Sequence, residues 1–217
     1  MITDIRLAGQ QLAAPRFDTP KKLVSWMGAI QAQDYAMARW AVGIRLKSAT
    51  ARSVGEAFSR GEILRTHVMR PTWHLVAAED IRWMLKLSAR RIRSANESLA
   101  KGRQLELTEQ LHYRCDRLLE KMLEGNRNLT KQQIGEELNR QGIAADTPRL
   151  TRLLMRAETE AVVCSGPFSG GKQTYALLEE RVPPVPELHP DEALAKLATA
   201  YFRSHSPASM QDFVWWS

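Results

Sequence analysis

From Thr19 the apolar residues Leu23, Val24, Met27 and Ile30 recur at three- and four-residue steps, the period of a helix that buries one stripe. Thr19 is placed to cap this helix, and Pro20 fills a first position that needs no amide hydrogen. Ser53-Val54-Gly55-Glu56 reads as a capping box opening a short helix to Arg60, with Gly61 as its stop. The period then changes. Residues 63–76 are β-leaning and broken at Arg70-Pro71, which predicts a hairpin turning at the proline.

The middle of the chain repeats this order. A helix is predicted from about Thr108 to Leu123, followed by the capping box Thr130-Lys131-Gln132-Gln133 and a helix ending near Gly142. Asp146 or Thr147 caps the next one and Pro148 starts it. Its apolar stripe is Leu150, Leu153, Leu154 and Ala157, with Arg149, Arg152 and Arg156 at helical spacing beside the stripe. Residues 161–165 and 173–177 are then two strands joined by a glycine-rich loop tipped with Lys172. After prolines 183, 184, 186 and 190 a third round begins, with a helix over 191–202 and another opened by Ser206-Pro207 that runs through Phe213 and Trp216.

The expected fold is mainly α with small β-hairpins, arranged as tandem winged-helix units (helix-turn-helix plus wing) with the third unit truncated. The expected boundaries are 1–104 for the first unit and its long following helix, 105–181 for the second, 182–190 for a proline-rich linker and 191–217 for the incomplete third. A helix pair packed on the second unit is the alternative for that last segment.

Composition narrows the partners. Charged residues make up 25% of the 217 and hydrophobic ones 44%, a globular balance. Lys and Arg exceed Asp and Glu by 31 to 24, a formal charge of +7 that favours an anionic partner. No stretch approaches the roughly 18 apolar residues of a membrane span, and the amino end lacks a basic start followed by an apolar run. Cys115 and Cys164 are too few for a disulfide framework or a cysteine-rich zinc site. A cytoplasmic, nucleoid-associated protein without membrane contact is the expectation.

Arg149, Arg152 and Arg156, between a capped helix and a basic-tipped hairpin, suit a nucleic-acid groove, where arginine binds guanine or phosphate. A second row, Arg82, Lys86, Arg90 and Arg93, fits phosphate tracking or a solvated face equally. Gly166, Gly171 and Lys172 imitate a phosphate loop, but Gln173 replaces the magnesium-binding hydroxyl and a strand follows, so no nucleotide cofactor is expected. The histidines lack zinc-ligand spacing, so no metal is expected; His67 and His74 lie on the first hairpin, their pairing set by its register. Gln31 and Gln33 would point about 200° apart in a continuing helix, but in an extended exit they share one side and their carboxamides converge.

The segments 28–34 (Gly-Ala-Ile-Gln-Ala-Gln-Asp) and 64–76 (Leu-Arg-Thr-His-Val-Met-Arg-Pro-Thr-Trp-His-Leu-Val), followed by Glu79-Asp80-Ile81-Arg82-Trp83, resemble the winged-helix DNA glycosylases of the AlkZ-like group. The second unit and the Phe213-Val214-Trp215-Trp216-Ser217 ending resemble it too; members of the group continue through a complete third winged helix into a β-rich part. The resemblance implies a DNA-binding concavity and removal of alkylated purines, crosslinked bases included, from double-stranded DNA, with no cofactor. The family's glutamine, apolar residue, glutamine pattern falls on Gln31, Ala32 and Gln33, which carries the catalytic role to Gln31 and Gln33; Asp34 lies outside it. Arg70 and His74 of the first hairpin are expected to approach the lesion, and Arg149, Arg152, Arg156 and Lys172 to hold phosphate. The competing expectation is a non-catalytic winged-helix regulator using the same basic surface.

Overall fold

The structure, a computed structural model, describes residues 1–217. It is mainly helical, with two small antiparallel sheets. Helix α1 (Ile2–Gly9) precedes the first round of elements: α2 (Pro20–Met27), β1 (Ile30–Gln31), α3 (Tyr35–Gly43), α4 (Ala51–Ser59), β2 (Ile63–His67) and β3 (Trp73–Ala77). Helix α5 (Ile81–Gly102) then runs for 22 residues. The second round has the same order: α6 (Glu109–Leu123), β4 (Leu129–Thr130), α7 (Lys131–Arg140), α8 (Thr147–Thr159), β5 (Val163–Ser165) and β6 (Thr174–Leu177). A short α9 (Leu178–Arg181), α10 (Pro190–His205) and α11 (Met210–Trp216) complete the chain.

In each round the last strand lies in the middle of its sheet, giving the orders β1-β3-β2 and β4-β6-β5. A two-residue strand that leaves the first helix thus becomes an edge of the sheet that the hairpin closes. The first sheet separates two cores: Ala29, Leu64 and Val76 face one cluster, while Ala32, Ile63 and Leu75 face another. Burying each leucine, isoleucine or valine among them contributes about 1.5–3 kcal/mol.

Local chemistry explains most boundaries. Thr108, Thr130 and Asp146 cap α6, α7 and α8 through their side-chain oxygens. The helix predicted to reach Ile30 stops at Met27, because Gly28 adopts φ +76° and turns the chain into β1. The box placed at Ser53 belongs one turn earlier: Thr50 is the cap, and Ser53 is the residue that answers it. Between α7 and α8 a side chain at Gly135 would begin 2.9 Å from Leu150 Cδ2, so glycine lets the two helices close.

The carboxy-terminal helices pack on the first round rather than the second. Leu197 and Tyr201 of α10 and Phe213 of α11 join the cluster of Leu64, Val76, Ile81 and Trp83, while α10 also touches α1 and α2. The second of these helices is capped by Ser209, not opened at Ser206. Phe213 and Trp216 pack against Tyr201 with tilted rings, whereas Trp215 stays 78% exposed. The proline-rich segment is pinned to α5: Val182 is buried, Leu188 packs on the same core, and Arg82 holds the Val182 carbonyl. No helix is long and apolar enough to cross a membrane.

Candidate active site and nucleic-acid interface

β1 pairs with β3 through Ile30 opposite Leu75 and Gln31 opposite His74, and the Ala32 amide adds a bond to the Trp73 carbonyl at 2.7 Å. The exit is therefore extended, and side chains alternate along it. Ala32 turns inward and is 1% exposed; Gln31 and Gln33 on either side of it are both exposed. Gln33 Oε1 accepts from the Trp73 amide at 3.4 Å. Asp34 has a different task. Its carboxylate caps α3, accepting from the Met37 amide at 3.0 Å.

Beneath this exit stands Arg65, the one cation in the strand Ile63-Leu64-Arg65-Thr66-His67. Its Nε donates to the Ala32 carbonyl at 2.9 Å and its Nη2 to the Gln33 carbonyl at 3.0 Å. Nη1 reaches Gln173 Oε1 in the second hairpin, and the guanidinium lies over the Trp73 ring, 4.5 Å from its centroid. The Arg65 amide also donates to Ser165 Oγ of β5 at 2.9 Å. Burial lowers the pKa of this guanidinium, with Glu158 the strongest opposing charge. A charge in an otherwise buried strand demands partners, and that was the available signal; sequence reasoning assigned Arg65 no role.

A cleft of about 690 Å³ opens between the two rounds of elements. Arg65, Trp73, Lys131, Lys172 and Gln173 line it, with Glu136 as an acidic member. Gln31 and Gln33 do not line it; Trp73 and Arg65 join the two places. Burial, with repulsion from Arg152 added, lowers the pKa of Lys131, whose ammonium donates to Thr151 Oγ1. Lys172 is exposed at the hairpin tip, and Arg70 is half-buried at the first turn.

The other expected DNA ligands sit differently. His74 is 2% exposed, with Nδ1 bonded to the Thr72 carbonyl at 2.9 Å, so its ring offers no edge to a groove. In the register Thr66 faces His74, while His67 faces Trp73 and bonds Glu158 of α8 at 2.7 Å, both members of that pair being buried. The arginine row of α8 lies in a seam against α5 and the start of α6 rather than on a free face. Arg149 donates to the Glu106 carbonyl at 3.1 Å. Arg152 is half-buried, and its carbonyl is held by Asn96 of α5 at 2.9 Å. Arg156, its side chain 12% exposed, pairs with Glu109 and Glu160. Arg149 and Arg156 thus make contacts within the molecule, while the Arg152 guanidinium meets only Met155 of its own helix.

In the second basic row Arg82 pairs with Glu179, Lys86 with Glu187 and Arg93 with Glu160, leaving Arg90 exposed. The glycine-rich loop does not cradle phosphate at its first glycine: a side chain at Gly166 would strike Thr174 Oγ1 at 2.4 Å and Asn128 Oδ1 at 2.6 Å. Both cysteines are buried thiols that burial pushes up to about 12.

The family model described as "DNA glycosylase AlkZ-like" matches residues 24–217. No curated protein matches the chain. Among solved structures, the DNA glycosylase AlkZ of Streptomyces sahachiroi superposes with a TM-score of 0.67 at 21% sequence identity, over 99% of this chain and 63% of that one. The chain thus spans less than two thirds of the length of that protein, and the likeness at this identity is one of fold.

Proposed function

This chain belongs to the AlkZ-like DNA glycosylase family, and from that premise we propose that it removes N-alkylated purines from double-stranded DNA, directing water to the anomeric carbon of the sugar. The observation that carries the reading is that Gln31 and Gln33 are both exposed on either side of the inward Ala32, where β1 leaves its sheet. The repeated order of helix, short strand, two helices and two strands supports tandem winged-helix units as its scaffold.

The chemistry suits uncharged amides. Alkylation at N7 makes guanine cationic, so the electron pair of the breaking C1′–N9 bond neutralises the departing base and no strong acid is required. Water then bonds to C1′ and releases its proton to solvent, leaving a free base and an abasic sugar. Gln31 and Gln33, each with an acceptor oxygen and two donor hydrogens, orient that water and stabilise the oxocarbenium with fixed dipoles. A carboxamide is a poor general base, so the rate gain is modest and restricted to lesions that already leave easily. Lys172 and Arg70 are the proposed phosphate contacts, and the chromosomal DNA is the proposed place of action. Alkylated bases joined in crosslinks belong to the same substrate class.

Duplex DNA carrying N7-methylguanine tests the reading. The protein should release the base, and Gln31→Ala and Gln33→Ala should each slow release by about 100-fold while retaining DNA binding. Binding without any release by the unmodified protein would instead make it a regulator.

A further inference from the structure

We infer that Arg65 is the positioning residue of this site, fixing the Gln31-Ala32-Gln33 backbone and tying it to the seat of the second hairpin; the inference rests on the glycosylase reading. Strand β1 is only two residues long, and its pairing with β3 ends at the Ala32 amide. Past that point the peptide planes that set Gln33 have lost the sheet. Arg65 takes over, holding the Ala32 carbonyl with Nε and the Gln33 carbonyl with Nη2. Two nitrogens of one rigid plane on successive carbonyls fix the direction of the chain as well as its position.

The same plane is itself fixed. Trp73 lies against one face, and Nη1 is occupied by Gln173, the neighbour of Lys172. A shift of the second hairpin therefore pulls on the group that orients Gln33. In this arrangement the exposed carboxamides become competent only when the Lys172 hairpin is correctly seated, so DNA engagement and base release are mechanically joined. An arginine that merely staples the two halves would support stability without touching the orientation of Gln33, and this difference can be measured.

The test compares the unmodified chain with Arg65→Ala and Arg65→Lys in single-turnover release of N7-methylguanine at saturating protein, with DNA binding and thermal melting alongside. Misplacing reacting groups by about 1 Å costs on the order of 100-fold, so Arg65→Ala should release base about 100-fold more slowly even at saturating protein, where affinity no longer limits the rate. Arg65→Lys should recover little of this, because an ammonium cannot span both carbonyls and Gln173. Added methylguanidine should restore part of the rate to Arg65→Ala. A folded Arg65→Ala with unchanged release at saturating protein overturns the inference. Should Arg65→Ala fail to fold, Gln173→Ala serves instead, with an expected loss of about 10-fold and unchanged release as the overturning result. If the unmodified chain releases no base, the glycosylase reading fails separately, and amide hydrogen exchange decides the positioning role. Arg65→Ala should then speed exchange of the Ala32 amide, which is bonded to the Trp73 carbonyl, without altering the core around Leu23 and Val24, and unaltered exchange there overturns it.

Discussion

His74 lies in the centre of the first sheet, with Gln31 opposite on one side and Thr66 on the other. At 2% exposure its ring has no water to solvate a charge. Burial pushes its pKa down to about 4, outweighing the raising effect of its bond to the Thr72 carbonyl. An unfolded histidine titrates near 6.5, so between about pH 6.5 and 4 the unfolded chain binds the proton that the folded chain refuses. The stability that neutral His74 contributes is present above about pH 6.5 and is lost as pH falls to about 4, by up to about 3 kcal/mol. Urea melts should show the midpoint of the unmodified protein falling more across that window than the midpoint of His74→Gln. His112 and His205 are shifted down by burial too, so the variant keeps some slope. Equal slopes in the two proteins would place the acid sensitivity elsewhere.

At the scale of elements, α8 explains both a success and a failure of reading the sequence. Its cap, narrowed to Asp146 or Thr147, and the capping box of α7 were legible because a cap and the amide it satisfies lie within three residues. Whether Gln31 and Gln33 share a side was legible only as a condition, since it required α2 to end early; Gly28 supplies that ending. What meets the arginine row comes from residues far along the chain, the Glu106 carbonyl for Arg149 and Glu109 for Arg156. A periodic pattern reveals that a helix has a charged face, not what packs on it. The same helix carries Glu158, 1% exposed, into the first hairpin to meet His67. Removing one member of a buried pair leaves the other unmet, so Glu158→Ala should cost about 3–5 kcal/mol in urea unfolding. Replacing both members, with His67→Phe added, should recover part of that loss. A cost below about 1 kcal/mol for the single change would equate the pair with an exposed surface bridge.

For the molecule as a whole, the formal charge of +7 overstates what is free to meet DNA. Arg82, Lys86, Arg93 and Arg156 are engaged by Glu179, Glu187, Glu160 and Glu109. Lys172 is different: it is exposed on a hairpin tip at the cleft between the two rounds of elements. Phosphate contacts release counterions, so each true contact contributes about 0.9 to the slope of log affinity against log salt on duplex DNA. Lys172→Gln should therefore flatten that slope by about 0.9, measured by fluorescence anisotropy between about 50 and 200 mM salt. Arg156→Gln should leave the slope alone while lowering thermal stability, because its guanidinium is already paired with two carboxylates of the same molecule. The reverse outcome, a flatter slope from Arg156→Gln and none from Lys172→Gln, would mean that α8 swings out of its seam to enter the groove. The cleft would then not be where the duplex is held.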